Sequence, residues 1–289
     1  MTTSTVTSKS TVRRSILDEQ WHAGDMSNDD AAAKIASIRR EPPPYRRVAV
    51  HSVEPLTPHM WRVVLGGDEL DGFSIDAPAS SVRLLLPQAD SNELVMVTWT
   101  GNQFELPDGS RPPIRTFTPR SFDAERNELT LDVVLHETGA ATDWVRRAVP
   151  GDEVAVSGPG RSDDLDPDAR THLLVGDESA MPAIAQLLEW IPDDRTIDVH
   201  IEIHAPDART ELPDHPNATV TWHEAVDGAE PGDSMTDALM AVTELADAVW
   251  AAGEAAAVQR IRKHLFDERG RDRSGVTARG YWKKGRSAT

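Results

Sequence analysis

Short apolar runs of alternating or β-branched residues fill the chain between Tyr45 and about residue 160. We predict strands at Arg47–Val53, Met60–Leu65, Val82–Leu86, Glu93–Thr100, Arg115–Pro119, Leu129–Leu135 and Glu153–Ser157. Turn-forming groups such as Gly66-Gly67-Asp68 and Pro150-Gly151-Asp152 separate these runs, and one helix near Thr142–Ala148 interrupts them. Several short strands at this spacing predict an antiparallel sandwich or barrel.

The rhythm changes after about residue 160, where apolar strands begin to alternate with helices. We predict strands at Thr171–Val175, Ile197–Ile203, Thr219–Trp222, Ala248–Ala252 and Thr277–Tyr281, and helices at Ala180–Trp190, Met235–Val242 and Ala255–Asp267. This alternation predicts a doubly wound parallel sheet. The predicted fold class is therefore a β-barrel followed by an α/β domain. Its predicted parts are an N-terminal extension over residues 1–44, helical near Asp29–Arg40, a barrel over 45–162 and an α/β domain over 168–289.

Composition narrows the possible functions. The 289 residues contain no cysteine, which excludes disulfides, thiolate catalysis and cysteine-ligated iron–sulfur or zinc sites, so any electron transfer would need an organic cofactor. The formal net charge of −18 argues against nucleic-acid binding. No apolar run has the length of a membrane span, and Met1–Ser10 lacks a secretory core, so we expect a cytoplasmic protein. The histidines are scattered, and no metal site is predicted.

Basic residues are concentrated near the end of the chain. From Arg260 to Thr289 there are ten Lys and Arg residues against three Asp and Glu residues. Two interpretations stay open: this basic island meets an anionic ligand, or it is the solvent face of a helix.

Two neighbouring stretches in the predicted barrel combine groups that suit a planar, phosphate-bearing ligand. Arg115-Thr116-Phe117-Thr118-Pro119-Arg120 offers an aromatic ring, hydroxyls and guanidiniums on one predicted strand. In His136-Glu137-Thr138-Gly139-Ala140-Ala141-Thr142, Gly139 permits close backbone approach and Thr142 is placed to cap the next helix. A helix N-terminus attracts anions, so together these stretches suggest a pyrophosphate site.

The α/β domain opens with a strand, a tight turn and a helix at Gly176-Asp177-Glu178-Ser179. A dinucleotide-binding domain carries its phosphate loop at this place, but the G-x-G-x-x-G pattern is absent. A nicotinamide site and a plain connection with an acidic cap both stay open. Ala252-Gly253-Glu254 ends a later strand at the carboxyl edge, where open α/β sheets bind ligands.

Taken in order, these motifs resemble a known family. Arg115 to Arg120, the strand end Val134-Leu135-His136 and the small residues Gly139, Ala140, Ala141 and Thr142 resemble the ferredoxin-reductase type of flavin domain. Gly176-Asp177-Glu178-Ser179-Ala180-Met181-Pro182, Ala252-Gly253-Glu254 and Gly280-Tyr281-Trp282-Lys283-Lys284-Gly285 resemble the siderophore-interacting proteins, or ferric-siderophore reductases. The resemblance spans about Arg46 to Arg286.

The resemblance implies an FAD-dependent reductase that passes electrons from NADPH or NADH to iron held in a ferric siderophore. It implies that Arg115, Thr116, Phe117, Thr118, Arg120, Val134, Leu135, His136 and Gly139 to Thr142 contact FAD, with Phe117 standing where the family usually has Tyr. Gly176 to Ser179 and Ala252 to Glu254 would serve the nicotinamide cofactor, and Lys283, Lys284 and Arg46 the siderophore. The alternatives are reduced ferredoxin as the donor, a general flavin oxidoreductase, or a siderophore-binding protein without turnover.

Overall fold

The structure, a computed structural model, describes residues 42–88, 91–160, 162 and 166–285. Its first part is an antiparallel sheet of seven strands. They are β1 (Tyr45–Thr57), β2 (Met60–Gly66), β3 (Val82–Leu85), β6 (Ile114–Phe117), β7 (Pro119–Asp123), β8 (Glu128–Val134) and β9 (Glu153–Ser157), in the order β6-β3-β9-β1-β2-β8-β7. Two further short strands, β4 (Thr98–Trp99) and β5 (Phe104–Glu105), form a separate hairpin before β6.

The sheet curls so that consecutive strands lie at its opposite edges. β6 and β7 are separated in sequence only by Thr118, yet β6 pairs with β3 at one edge and β7 pairs with β8 at the other. The prediction of one strand over Arg115–Pro119 was therefore wrong. The chain turns at Thr118, and the seam between the two edges stays open for a cavity.

One helix covers part of this curled sheet. α1 (Ala140–Arg147) buries Trp144 and Val145 against the core residues Leu65 and Leu131. Alternating side chains of the strands supply the rest of this core, as expected for a sheet with one buried face. Packing against a filled core fixes the N-terminal end of α1 beside β6 and β8.

The second part is a parallel sheet of five strands with helices on both faces. Its strands are β10 (Thr171–Asp177), β11 (Thr196–Ile203), β12 (Ala218–Glu224), β13 (Ala248–Glu254) and β14 (Val276–Trp282), in the order β12-β11-β10-β13-β14. Its helices are α2 (Met181–Trp190), α3 (Asp233–Met240) and α4 (Ala255–Lys263). Leu174 packs towards α2 while its neighbours Leu173 and Val175 pack towards α3 and α4, which is the alternation of a strand buried on both faces.

Hydrogen bonds and an ion pair join the two parts. Gln186 on α2 is buried; its Oε1 accepts from the Ala79 backbone N–H at 2.8 Å, and its Nε2 donates to the Pro119 carbonyl at 2.7 Å. Arg120 forms a two-pronged ion pair with Glu189 at 2.7 and 3.0 Å. The contacts to α2 come from β7 and from Ala79, which precedes β3, and they fix how the two sheets face each other.

The predicted fold class is confirmed, with local corrections. The strand predicted over Glu93–Thr100 is reduced to Thr98–Trp99, because the preceding residues pair with no neighbouring strand among the described residues. The predicted helix at Asp29–Arg40 lies outside the described residues, as does nearly all of the predicted extension over residues 1–44. Within the described ranges, no helix combines the length and apolarity needed to cross a membrane.

Two arginines of the basic island bind backbone carbonyls and so stabilise the fold. Arg269 donates to the carbonyls of Val242 and Thr243, and Arg271 donates to those of Ala246 and Asp247. These bonds hold the loop between α3 and β13. This part of the basic island therefore stabilises the fold and faces neither of the two cavities described below.

Candidate functional site

The larger cavity, of about 860 Å³, lies where the open seam of the curled sheet faces the second domain. Its wall contains Arg115, Thr116, Phe117 and Thr118 from β6 and the turn after it. From β8 and the loop that follows, Val134 and His136 face the same space. Tyr281, Trp282 and Lys283 close the cavity from the end of β14, and the Thr118 hydroxyl donates to Tyr281 Oη at 3.4 Å.

The N-terminal end of α1 opens onto this cavity. Gly139, Ala140, Ala141 and Thr142 all line it. The N-cap is Gly139, at φ 144°, and a Cβ placed there would meet no atom within 4 Å. The prediction that Thr142 caps the helix was wrong, because its buried hydroxyl accepts a hydrogen bond from the His136 backbone N–H at 3.0 Å. This bond folds the loop back and leaves the first N–H groups of α1 facing the open space.

Three guanidiniums surround the same space. Arg83, Arg111 and Arg115 line the cavity, and within the described ranges none of them forms an ion pair with a carboxylate. Burial lowers the pKa of Arg115, but an arginine keeps its charge throughout the physiological range. Unpaired guanidiniums beside a helix N-terminus form a donor set for phosphate groups, with Phe117 as an apolar face. The residues present fit FAD.

A second cavity, of about 550 Å³, adjoins the first. It lies at the carboxyl edge of the parallel sheet, between that edge and the turn joining β1 to β2. Val134, His136, Ser179 and Trp282 line both cavities. The rings of His136 and Trp282 lie 5.8 Å apart, and burial lowers the pKa of His136. The two spaces therefore meet at an imidazole that favours its neutral form.

Asp177 organises the loop at the end of β10. Its Oδ1 accepts from the Ser179 N–H and hydroxyl, while its Oδ2 accepts from the Glu254 N–H at 2.9 Å and the Trp282 indole N–H at 2.7 Å. Burial raises the pKa of Asp177 to about 6, although these four hydrogen bonds favour the carboxylate. Asp177 thus positions Trp282 in the wall between the cavities.

Gly176 and Gly253 lie where neighbouring atoms leave no room for a side chain. A Cβ on Gly176 would lie 2.5 Å from the Ala180 Cβ, and one on Gly253 would lie 2.5 Å from Asp177 Oδ2. Asp177, Glu178 and Ser179 line the smaller cavity, whereas Gly176, Ala252, Gly253 and Glu254 line neither. Glu254 instead caps α4 by accepting from the N–H groups of Ala256 and Ala257.

Two histidines in the smaller cavity are each backed by a carboxylate. His204 Nδ1 bonds to Glu178 Oε1, and His59 Nε2 lies 3.2 Å from Asp207 Oδ1. The two rings meet edge to face, with centroids 4.0 Å apart. Among the described residues there is no group of three or more His, Asp or Glu side chains arranged to hold a metal ion.

The other predicted site residues are placed as follows. Lys283 lines the larger cavity, whereas Lys284 Nζ donates to Glu230 Oε2 at 2.8 Å. Arg46 donates to the Gly158 carbonyl and lies over the Phe73 ring, and it lines neither cavity. Arg120 is held on Glu189, so it lies at the junction of the two sheets, outside both cavities. Leu135 lines the smaller cavity.

Sequence reasoning missed Arg83, Arg111, His59 and His204. The first two stand in a strand and in a loop whose neighbours are set only by the tertiary fold. His204 had a usable signal, since it directly follows the second parallel strand. β11 ends at Ile203, as predicted, and the His204 side chain is 48% exposed.

Comparisons with known proteins agree with this architecture. Family models match in two blocks: "Siderophore-interacting FAD-binding domain" over residues 49–163 and "Siderophore-interacting protein" over residues 169–285. A crystal structure of a siderophore utilization protein from T. fusca is 33% identical, with a TM-score of 0.77 over 86% of this chain and 96% of that one.

Two curated relatives carry names that describe an activity. Ferric vibriobactin reductase ViuB from Vibrio cholerae is 30% identical over 79% of this chain and 86% of its own length. An NADPH-dependent ferric-chelate reductase from Escherichia coli is 38% identical over 51% of this chain and 57% of its own length. The two family models match consecutive blocks of the chain, and together they cover nearly all of the described residues. This match establishes the family. The chain belongs to the siderophore-interacting protein family, and residues 49–163 are its FAD-binding domain.

Proposed function

We propose that this protein is a cytoplasmic, FAD-dependent reductase that moves electrons from NADPH or NADH to Fe(III) held in a siderophore. The observation that carries the proposal is the pair of adjoining cavities that share His136 and Trp282. An electron donor in one cavity and a flavin in the other need to lie next to each other, because the donor must contact the flavin directly for electrons to pass between them. The cytoplasm is proposed because it holds the reduced nicotinamide pool.

The larger cavity would hold FAD. Arg115 and the N–H groups at the start of α1 would bind its phosphates, and Phe117 offers a ring for stacking. Bound FAD would convert a two-electron donor into a source of single electrons, which a ferric ion requires. The Thr118 to Tyr281 hydrogen bond links the turn after β6 to the end of β14, and both line this cavity.

The smaller cavity would hold the nicotinamide dinucleotide. It lies at the carboxyl ends of β10 and β11, the edge at which doubly wound sheets bind nucleotides. Ala225, Val226 and Ala229 give its outer part an apolar wall suited to an adenine ring. Trp282, held by Asp177, would order the nicotinamide end.

The ferric chelate would approach the exposed side of the larger cavity. Lys283, which is exposed, and Arg83 and Arg111 line it, and they would attract an anionic chelate to a protein whose net charge is otherwise strongly negative. One NAD(P)H and two ferric chelates would give NAD(P)⁺, two ferrous chelates and one proton. Fe(II) binds hard oxygen ligands less tightly than Fe(III), so reduction would release the metal.

The visible absorption spectrum of the purified protein tests the proposal. We expect a flavin spectrum that bleaches under anaerobic NADPH or NADH and returns on adding a ferric siderophore. Bleaching only by reduced ferredoxin would keep the reductase and replace its donor. A protein that cannot be loaded with FAD, or whose reduced flavin is not reoxidised by any ferric chelate, would contradict the proposal.

A further inference from the structure

Three helices of the α/β domain, α2, α3 and α4, follow the strands β10, β12 and β13 and begin near the carboxyl edge of the sheet. In doubly wound sheets the N-terminus of such a helix binds the pyrophosphate of a dinucleotide, because its free N–H groups and its dipole face the ligand. The state of these three helix N-termini therefore decides whether the domain can bind a dinucleotide in the usual way.

Buried carboxylates from the strand ends occupy the first two of these N-termini. Asp177, the last residue of β10, accepts from the Ser179 N–H at 2.9 Å in the short turn that leads into α2. Glu202, the last residue but one of β11, accepts from the N–H groups of Gly232 and Met235 at 2.7 and 2.9 Å, at the start of α3.

The third N-terminus is filled in the same way. Glu254, the buried last residue of β13, accepts from the N–H groups of Ala256 and Ala257 in the first turn of α4. A carboxylate in this position uses the N–H groups and compensates the helix dipole, so a phosphate brought there would meet a charge of its own sign. The α/β domain thus has its own anions where other dinucleotide-binding domains receive a pyrophosphate.

Several neutral donors that line the smaller cavity are also engaged. The Ser179 hydroxyl and the Trp282 indole N–H both donate to Asp177, and the Ser234 hydroxyl donates to the Glu224 carbonyl at 3.1 Å. On the side of the sheet, these groups leave little to bind a pyrophosphate.

Arg146 supplies the charge that the sheet edge lacks. It lies in the last turn of α1, on the FAD-binding domain, where it is exposed and lines the smaller cavity. Within the described part of the chain its guanidinium forms neither an ion pair nor a hydrogen bond, and no other arginine or lysine there lines this cavity. A guanidinium keeps its charge at physiological pH and matches the paired oxygens of a phosphate.

The carboxylates around the cavity favour the same location. Those that line it are Asp177, Glu178 and Glu202 at the sheet edge, Glu230 before α3, and Glu137 before α1. The three at the sheet edge would repel a pyrophosphate from that edge, and Glu230 is paired with Lys284 at 2.8 Å. Glu137 lies in the loop before α1 but is exposed, so solvent and salt screen its charge.

We infer that Arg146 binds the pyrophosphate of the nicotinamide dinucleotide, in place of the helix N-termini that do so in other doubly wound sheets. The inference rests on the proposed function, because that function assigns the smaller cavity to the electron donor. Donor binding then needs both domains, since the α/β domain provides the sheet edge and the FAD-binding domain provides the cation. The missing G-x-G-x-x-G pattern follows as well, because no helix N-terminus has to approach the pyrophosphate.

The test uses the full-length protein loaded with FAD, so that the probe cannot enter the larger cavity. The probe is adenosine 5′-diphosphoribose, which contains the pyrophosphate but neither nicotinamide nor a 2′-phosphate. We expect calorimetric titration to show about tenfold weaker binding to Arg146→Ala than to the wild type, because a charge-assisted pair is lost. Arg146→Lys should restore part of the affinity, since an ammonium keeps the charge but not the two-pronged geometry.

Arg262→Ala is the matched control. Arg262 is also an exposed arginine in the last turn of a helix, α4, but it lines neither cavity, so its replacement should leave the affinity for the probe unchanged. In turnover, Arg146→Ala should raise the KM for the donor about tenfold and leave kcat and the KM for the ferric chelate unchanged, because the lost contact is made equally before and during electron transfer. FAD content and thermal unfolding report whether each variant is folded.

Unchanged affinity of Arg146→Ala for the probe would overturn the inference, and bleaching of the wild-type flavin by NADH or NADPH would then leave the proposed function intact. A higher KM for the ferric chelate with an unchanged KM for the donor would assign Arg146 to the acceptor and would also overturn the inference. A wild-type protein that binds neither the probe nor NADH nor NADPH would overturn the donor assignment in the proposed function itself, and that result is obtained without any variant.

Discussion

Arg115 illustrates how one side chain can report on the cofactor site. It lines the larger cavity beside the N-terminal end of α1, and its Nη1 bonds only to the adjacent Ile114 carbonyl within the described chain. We expect Arg115→Ala to fold but to bind FAD about tenfold or more weakly, because a guanidinium to phosphate bond is lost. The flavin-to-protein absorbance ratio after purification measures this loss.

Arg126→Ala is the matched control for this experiment. Arg126 lies in an exposed turn, pairs with Glu128 and faces neither cavity. Its replacement should leave the flavin content unchanged. Full FAD occupancy in Arg115→Ala would mean that the phosphates bind elsewhere.

Asp177 should make the stability of the protein depend on pH, because burial raises its pKa from 3.8 to about 6. At pH values between these two pKa values, the Asp177 carboxyl is protonated in the native protein and ionised in the unfolded chain. The contribution of Asp177 to stability is thus largest at low pH and is lost as the pH rises towards about 6. Asp177→Asn removes this titration, so the difference in unfolding free energy between variant and wild type should change by about 3 kcal/mol across this window and stay flat above it.

Urea denaturation at several pH values measures that difference. Asp108→Asn is the control, since Asp108 is exposed and hydrogen bonds from Ser110 lower its pKa, so its replacement should produce no change over the same window. A difference for Asp177→Asn that is independent of pH would contradict the assignment.

At the scale of elements, the start of α1 depends on a glycine. Gly139 adopts φ 144° and opens the helix onto the larger cavity. Gly139→Ala should strain this backbone by about 1 to 3 kcal/mol, or shift the first turn and its N–H groups. We expect weaker FAD binding in a folded protein, measured by fluorescence quenching of added FAD.

Gly72→Ala provides the comparison, because Gly72 also has a positive φ, 70°, with no atom near its missing Cβ, but lies outside both cavities. It should lower stability without changing FAD affinity. Equal FAD affinities for both variants and the wild type would show that the N-terminal end of α1 does not bind the cofactor.

The elements also show what the sequence can and cannot predict. Alternation and turn residues predict most strands well, and β9 is found at the predicted bounds Glu153–Ser157. The turn at Thr118 escaped prediction because Arg115 to Arg120 alternates like one strand, and only the partners of β6 and β7 reveal two. The pairing of His59 with His204 depends on how the two sheets face each other, which local sequence does not encode.

At the scale of the whole molecule, the relation between the two cavities depends on the contact between the two sheets. Met60 and Ala79 of the first part belong to the same buried cluster as Ile184 and Leu187 on α2. Gln186 lies in this contact and satisfies one buried N–H and one buried carbonyl of the first part. A rigid contact of this kind would hold the donor and flavin cavities in a fixed register, without a hinge between them.

Gln186→Met tests this rigidity, because it keeps the side-chain volume but leaves the Ala79 N–H and the Pro119 carbonyl without their partner. We expect a loss of about 2 to 6 kcal/mol in unfolding free energy, since each of the two buried polar groups left unpaired costs about 1 to 3 kcal/mol. Gln259→Met, on the exposed face of α4, should cost little. In the wild type, unfolding followed by tryptophan fluorescence and by release of FAD should coincide, because one buried cluster contains residues of both parts. Separate transitions in the wild type would mean that the two parts unfold independently and that Gln186 joins domains that can move apart.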